Sequence, residues 1–332
     1  MSVPVLDETT VADLLVELAV FEVDQPIEVT ELKGGVSSLV FLARNDATSV
    51  VVKQALPQLK VEQVWRADPR RSGHEAAAAR YLETTIPGSV PRLVAYDERR
   101  HVIVMSAIDA AGTWKDELLA GHADPDIAAR AGDVLGQIHH HSANELDRVP
   151  EPIRDKVLLR ELRTDPYFGQ LPRSSPHVSV QLGAVIEQVL NESICLVHGD
   201  FSPKNVLVTS DRDLVLVDHE VAHIGAPAFD VGFCCTHLIA KAHHLNAPRY
   251  TEVLRSFIDS YQQSAMATTP APTQVSSMTG AFVLARVDGK SPLEYLDEAL
   301  RSRLRVLSHS LLQDPPDSFD DFVAVTTQGV NR

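Results

Sequence analysis

The sequence predicts an α+β fold of two lobes, an antiparallel five-stranded sheet with one inserted helix followed by a mainly helical half. Two observations point there. The first third alternates in short β-rich runs, whereas beyond about Ser106 the apolar residues recur at helical spacing. At 332 residues the chain is also long enough for two cores. The expected division is 1–106 for the first lobe and 107–332 for the second.

Taken in order, Thr10 to Phe21 carry apolar positions at helical spacing, and three β-rich runs follow at Ile27 to Leu32, Ser38 to Ala43 and Ser49 to Lys53. The alanine-rich GHEAAAARYLE, Gly73 to Glu83, reads as one helix. Leu93 to Tyr96 and Val102 to Met105 complete the five strands. In the second half Asp124 caps a helix with Pro125 at its first position, and Ile127, Ala131, Val134, Leu135 and Ile138 share one face. Three short strands are expected at Ile194 to Val197, Val206 to Val208 and Leu214 to Val217. SAMATTPAPT, Ser264 to Thr273, reads as the clearest loop. Ser291, Pro292 and Glu294 form a capping box for a last long helix reaching about Leu312. The tail is expected to fray beyond Val325.

Composition excludes some classes. No apolar stretch approaches the roughly 18 residues of a membrane span, and the N-terminus lacks the basic-then-apolar order of a signal peptide, so a cytoplasmic location is the default expectation. A formal net charge of −15 disfavours nucleic-acid and anionic-membrane partners, which need a positive field. The three cysteines, Cys195, Cys234 and Cys235, lie in apolar runs without metal-ligand spacing and read as buried thiols.

The chemistry concentrates in LVHGDFSPKNVLV, Leu196 to Val208. Asp200 follows one strand and Asn205 precedes the next. That spacing fits a catalytic loop in which an aspartate accepts the proton of an attacking hydroxyl and an asparagine holds magnesium. Leu214 to Val217 then runs into Asp218-His219-Glu220, where a strand-end aspartate supplies a second hard oxygen ligand. Upstream, Lys53 ends the run VVVK, where its ammonium can reach nucleotide phosphates, and Glu75 on the following helix can pair with it. Gly34 and Gly35, with Ser37 and Ser38, form a turn whose backbone N–H groups and hydroxyls can approach phosphates. Val104 to Ile108, including Met105 and Ala107, joins the two halves and is placed to face an adenine with its backbone, although Met105 also suits a core.

Together these residues resemble the aminoglycoside phosphotransferase and choline kinase superfamily, over almost the whole chain. Lys53, Glu75, HGDFSPKN at 198–205, the acidic turn at 218–220 and Ala226-Pro-Ala-Phe-Asp230 carry the resemblance. It implies a protein-kinase-like fold. Within that branch the motifs are nearest to the methylthioribose kinases, through KQALP at 53–57, a loop bearing Trp65, and an aspartate paired with a glutamate two residues on. By that resemblance Glu220 is a second acidic metal ligand. The SPKN continuation departs from that pattern. So does the lack of an adjacent arginine pair, whose positions are taken by Thr279 and Gly280.

Other residues have supporting or open roles. His139, His140 and His141 are consecutive on a helix and cannot chelate one ion, although one can pack beneath the catalytic loop. His198 is expected to orient that loop through a backbone hydrogen bond, and Asp230 to brace it by accepting backbone N–H groups. Trp65 either covers a sugar or packs in the core. Arg286 and Asp288 lie on the late helices where the superfamily builds its acceptor pocket.

The reading is a magnesium-dependent kinase that transfers the γ-phosphoryl group of ATP, or of GTP, to a hydroxyl of a sugar-like or amino-sugar metabolite. The rivals are an aminoglycoside-type antibiotic phosphotransferase and a catalytically silent nucleotide-binding scaffold. Acceptor identity and the choice between monomer and homodimer stay open.

Overall fold

Alternation with period two builds the first sheet. A computed structural model of the chain describes residues 4–23, 25–32, 37–58 and 67–330. Gly34, Gly35 and Trp65 lie outside the described residues. Helix α1 (Glu8–Glu17), capped by Asp7, is followed by strands β1 (Glu28–Glu31), β2 (Ser38–Arg44) and β3 (Ser49–Ala55). Helix α2 (Arg71–Thr85), β4 (Leu93–Asp97) and β5 (Val102–Ser106) come next. The five strands are antiparallel in the order β1-β2-β3-β5-β4.

On β3, Val50 and Val52 point into a core with Leu14 and Leu15 of α1, so the alternate residues Val51 and Lys53 must face the other way, into a cleft. A one-residue slip would carry Lys53 into that core. The register Lys53↔Ile103 and Val51↔Met105 therefore positions the cleft wall.

The chain next forms β6 (Ala110–Thr113), α3 (Trp114–Leu119) and the 20-residue α4 (Pro125–Asn144), whose cap Asp124 accepts from the Asp126 N–H. Short α5 (Val157–Leu159) leads into a π-helix, Arg160–Phe168, with Pro166 inside it. Helices α6 (Leu171–Ser174) and α7 (Ser179–Asn191) precede strands β7 (Cys195–Val197), β8 (Val206–Thr209), β9 (Leu214–Leu216) and β10 (His223–Gly225). β10 pairs with β7, and β8 lies between β6 and β9. The remainder is helical: α8 (Pro227–Leu245), α9 (Arg249–Ala265), α10 (Pro272–Asp288), α11 (Glu298–Gln313) and α12 (Phe319–Thr326). Among the described residues, no helix is long and apolar enough to cross a membrane.

Gly132 and Gly136 on α4 explain its close packing on α9. A Cβ at Gly132 would stand 2.2 Å from the Phe257 carbonyl oxygen, and one at Gly136 would stand 2.7 Å from Ser264. All three cysteines are buried free thiols.

Three sequence expectations need correction. The loop expected at 264–273 is much shorter, because α9 runs through Ala265 and α10 begins at Pro272; Pro272 is compatible with a first helical turn. The last long helix begins at Glu298, with the Asp297 side chain accepting from the Leu300 N–H; Ser291 and Glu294 lie in the preceding connection. The tail forms α12, and burial of Phe322, Val323 and Val330 ties it down past Val325.

Candidate active site

Strand ends and one tight turn assemble the polar cluster. β7 delivers His198-Gly199-Asp200 to the floor of the cleft. Gly199 adopts φ +79°, and a Cβ there would lie 2.6 Å from the Val221 carbonyl oxygen, so both conformation and space call for glycine. Asp230, one turn into α8, accepts the N–H groups of His198 at 2.6 Å and Gly199 at 3.0 Å. His139 stands 3.4 Å from Asp230 through Nε2, and its Nδ1 is 2.9 Å from the Tyr261 hydroxyl. The histidine packed beneath the loop is thus His139. His198 hydrogen-bonds the Val217 carbonyl and the Asp200 N–H, tying the loop to the end of β9.

Asp200 is 1% exposed and surrounded by donors. Its Oδ2 lies 2.8 Å from Lys204 Nζ, 2.9 Å from Asn205 Nδ2 and 3.1 Å from Arg163 Nη2. Burial alone would raise its pKa, but Arg163 and Lys204 outweigh that and hold it below the ordinary carboxylate range. Arg163 comes from the π-helix and also donates to the Gly199 carbonyl at 2.9 Å.

Across the cleft Lys53 Nζ pairs with Glu75 at 2.8 Å and with Asp218 at 2.5 Å. Burial would lower the Lys53 ammonium; Asp218, Glu75 and Glu220 reverse that and raise it. Burial raises Glu75, with the Lys53 charge opposing. Asp218 is pushed up by burial but held down overall by Lys53 and Lys204. It also adopts φ +70°, a left-handed conformation uncommon for a residue with a side chain.

Glu220 is 5% exposed and binds Arg71 Nε at 2.9 Å. Arg71 is fully buried and donates further to the carbonyls of Ser37, Leu56 and Asp68. Glu75, Asp218 and Glu220 each place an oxygen within 4.8 Å of the others. Asn205 has its amide nitrogen on Asp200, so oxygen is what its amide can offer elsewhere. Lys53, Arg71 and, through its charge on Asp218, Lys204 face three carboxylates here. The hard-oxygen donors fit a divalent cation such as magnesium.

A cavity of about 610 Å³ lies between the lobes, bounded by Val40, Val51, Met105, Leu207, Lys53 and Asp218. Ser37 and Ser38 also reach it, and the Ser38 hydroxyl is buried without a partner. Met105 lines the cavity and packs with Ala76 and Ile103. Ala107 lines the cavity, but its N–H is taken by the Ser49 carbonyl and that of Ser106 by Arg92. Those two N–H groups are therefore not free for a base edge.

The structure does not bring Arg286 to Asp200. Its Nη1 donates to Ser291, and its guanidinium lies over the Tyr167 ring. Asp288 pairs with Arg305 at 2.7 Å. Thr279 and Gly280 are buried in α10, where a Cβ on Gly280 would stand 3.0 Å from the Ser308 carbonyl oxygen of α11. Sequence reasoning missed Arg71, Arg163 and Lys204. Arg71 precedes Glu75 by four residues and so shares its helix face, and Lys204 follows Asp200 by four; both spacings were available signals. Arg163 had none, being remote from the loop in sequence.

A small five-stranded lobe over a helical one, with charged strand ends meeting at the cleft between them, defines the kinase-like class of fold. The chain belongs to the phosphotransferase enzyme family, whose profile matches residues 28–274. It is 23% identical over 264 residues to methylthioribose kinase of Geobacillus sp. (strain WCH70), covering 71% of this chain and 66% of that relative. It thus spans a little under two thirds of that protein's length. Among solved structures, an amicoumacin kinase in complex with AMP-PNP, Ca2+ and Ami superposes with a TM-score of 0.60 at 13% identity, covering 95% of this chain and 96% of that one. The macrolide 2′-phosphotransferase apoenzyme of Brachybacterium faecium does so with 0.53 at 17%, covering 92% and 100%. These structural likenesses establish the fold.

Proposed function

We propose that the chain transfers the γ-phosphoryl group of ATP to a hydroxyl of a small sugar-like molecule. The observation that carries this reading is the meeting, in one cleft, of the Lys53–Glu75 pair, the Asp218 carboxylate and the buried Asp200–Asn205 pair. In this reading the first lobe, 1–106, holds the nucleotide and the second, 107–332, presents the acceptor.

Lys53, fixed by Glu75, would hold the nucleotide phosphates, and Val40, Val51, Met105 and Leu207 would sandwich the base. Asp218 and the Asn205 amide oxygen would hold magnesium, whose contribution is to neutralise phosphate charge. Glu220 could join them only by sharing its carboxylate with Arg71. Asp200 receives the acceptor hydroxyl as the bond from its oxygen to the γ-phosphorus forms and the bond to the β-phosphate oxygen breaks, releasing ADP. Because Arg163 and Lys204 keep Asp200 weakly basic, its main work is orientation, with the proton passing to it late; this suits a loose transition state in which alignment matters most.

The test is magnesium-dependent ADP release against hexoses, amino sugars, methylthioribose, choline and aminoglycosides, for the protein and for Asp200→Asn. The variant is expected to lose at least about a hundredfold in turnover, the scale of a positioned acid–base group, while its ATP affinity changes little. Near-normal turnover by Asp200→Asn would refute the assignment.

A further inference from the structure

Away from the nucleotide cleft, α8 carries a buried cation with no counter-charge. Phe233, His237 and Lys241 recur every four residues and so share one face of that helix. Lys241 is 1% exposed, yet the hydrogen bond its ammonium makes is to the His237 carbonyl one turn back, at a long 3.3 Å. The Tyr295 ring centre lies 5.8 Å from it. Burial brings its pKa down to about 7; among neighbouring groups Cys234 opposes this, whereas Lys115 and Arg286 add to it. No carboxylate pairs with Lys241 among the described residues.

Single polar atoms of its neighbours also lack partners. Arg286 Nε, His237 Nε2 and the Tyr295 hydroxyl are buried with no partner among the described residues. Leaving such groups unmade costs about 1–3 kcal/mol each, more where charged, so a ligand that met several of them beside the unpaired lysine would recover that cost. The cluster is also connected to the reacting centre. Arg163 binds Asp200, both Arg163 and Arg286 lie over the Tyr167 ring at 6.0 and 5.8 Å, Tyr167 packs on Phe233, and Phe233 packs on His237. In a chain of net charge −15, this run of cations is a local inversion of sign.

We propose that Lys241, Arg286, His237 and Tyr295 form a binding site for the anionic group, carboxylate or phosphate, of a sugar-like acceptor whose hydroxyl is presented to Asp200. That the occupant is the acceptor rests on the phosphotransfer proposed above; the anion site itself does not. Tyr295 belongs to the non-helical connection between α10 and α11, so entry requires a loop, not a packed helix, to give way. A polycationic acceptor would meet like charge here.

The experiment holds the hexose skeleton nearly constant and varies its charge. D-gluconate and D-glucose 6-phosphate are compared with D-glucose and D-glucosamine for binding to the full chain with ADP and magnesium, at fixed ionic strength, by calorimetry. In parallel the Lys241 titration is followed by NMR of 13C-labelled lysine. At least one anionic sugar is expected to bind ten-fold or more tightly than D-glucose and to move the Lys241 midpoint up from about 7. That advantage should vanish in Lys241→Met. The stronger of the two anions identifies carboxylate or phosphate as the group read. Equal binding of D-glucose or D-glucosamine, no binding by either anion, or an undiminished advantage in Lys241→Met would overturn the site. If that variant does not fold, Arg286→Gln carries the same comparison. ADP release from neutral acceptors with no anion advantage sinks the site and leaves the phosphotransfer standing. A Lys241-dependent advantage with no ADP release from any acceptor sinks the acceptor assignment alone.

Discussion

Two buried charge clusters in this protein are built on opposite terms. Beneath the cleft between the lobes, Lys53, Arg71, Glu75, Asp218 and Glu220 interlock at 2.5 to 2.9 Å. On α8, Lys241 is as deeply buried and has one long bond to its own helix. Desolvation penalises both clusters, but only the first recovers the loss through internal partners. Its pairs hold the ammonium of Lys53 charged, whereas Lys241, with its pKa brought down to about 7, is only about half charged at pH 7. The contrast separates a cluster that holds the fold in place from one that the fold leaves incomplete.

The largest effect should come from breaking the balanced cluster. Arg71→Leu strands Glu220 and removes the bonds to Ser37 and Leu56, and a loss of about 3–5 kcal/mol is expected on denaturant unfolding, as for other buried pairs deprived of one partner. Next comes Asp230→Ala, which leaves the His198 and Gly199 N–H groups without an acceptor. A loss of roughly 1–3 kcal/mol per buried group is expected, together with faster amide exchange at those two positions. The smallest effect belongs to the unbalanced cluster. Lys241→Met should leave stability at neutral pH unchanged or improved, because an apolar side chain of similar length replaces an unpaired buried amine. A loss as large as that of Arg71→Leu would abolish the contrast.

The pH dependence sharpens it. The folded pKa of Lys241 is depressed to about 7, below the ordinary lysine range. Between those values the unfolded chain binds a proton that the folded chain has released, so stability rises with pH across that window. Below about 7 both states hold the proton and the penalty is complete. Wild type should therefore gain on Lys241→Met as pH rises above 7 toward 10, in paired urea melts; parallel curves would mean that Lys241 is not desolvated as described.

Much of the architecture was legible because local chemistry and tertiary demand agree. The run VVVK alternates, and the sheet uses that alternation to send Val50 and Val52 inward and Lys53 into the cleft. Asp124-Pro125 reads as a helix start in the sequence and caps α4 in the fold. The SAMATTPAPT stretch misled because prolines that suit a loop also suit a first helical turn, and Pro272 serves as the latter. The capping box at Ser291 misled because Asp297, seven residues before Leu304 on the buried face, competes for the same helix and wins.

By itself the sequence determined eight of the ten strands among the described residues, missing β6 and β10, with helices α1, α2 and α4 and the Asp200–Asn205 loop, since each depends on periodicity or on spacing within a motif; the Lys53–Glu75 pair and the brace from Asp230 came from the order of the motifs and the family resemblance. Only the tertiary structure decided that Arg71 holds Glu220, that Arg163 reaches Asp200 from a π-helix, and that Lys241 has no counter-charge among the described residues. Those facts depend on side chains about 40 to 149 residues apart in sequence, or on the lack of one. No local pattern encodes such meetings, because packing of whole elements, not propensity along the chain, sets which charges become neighbours.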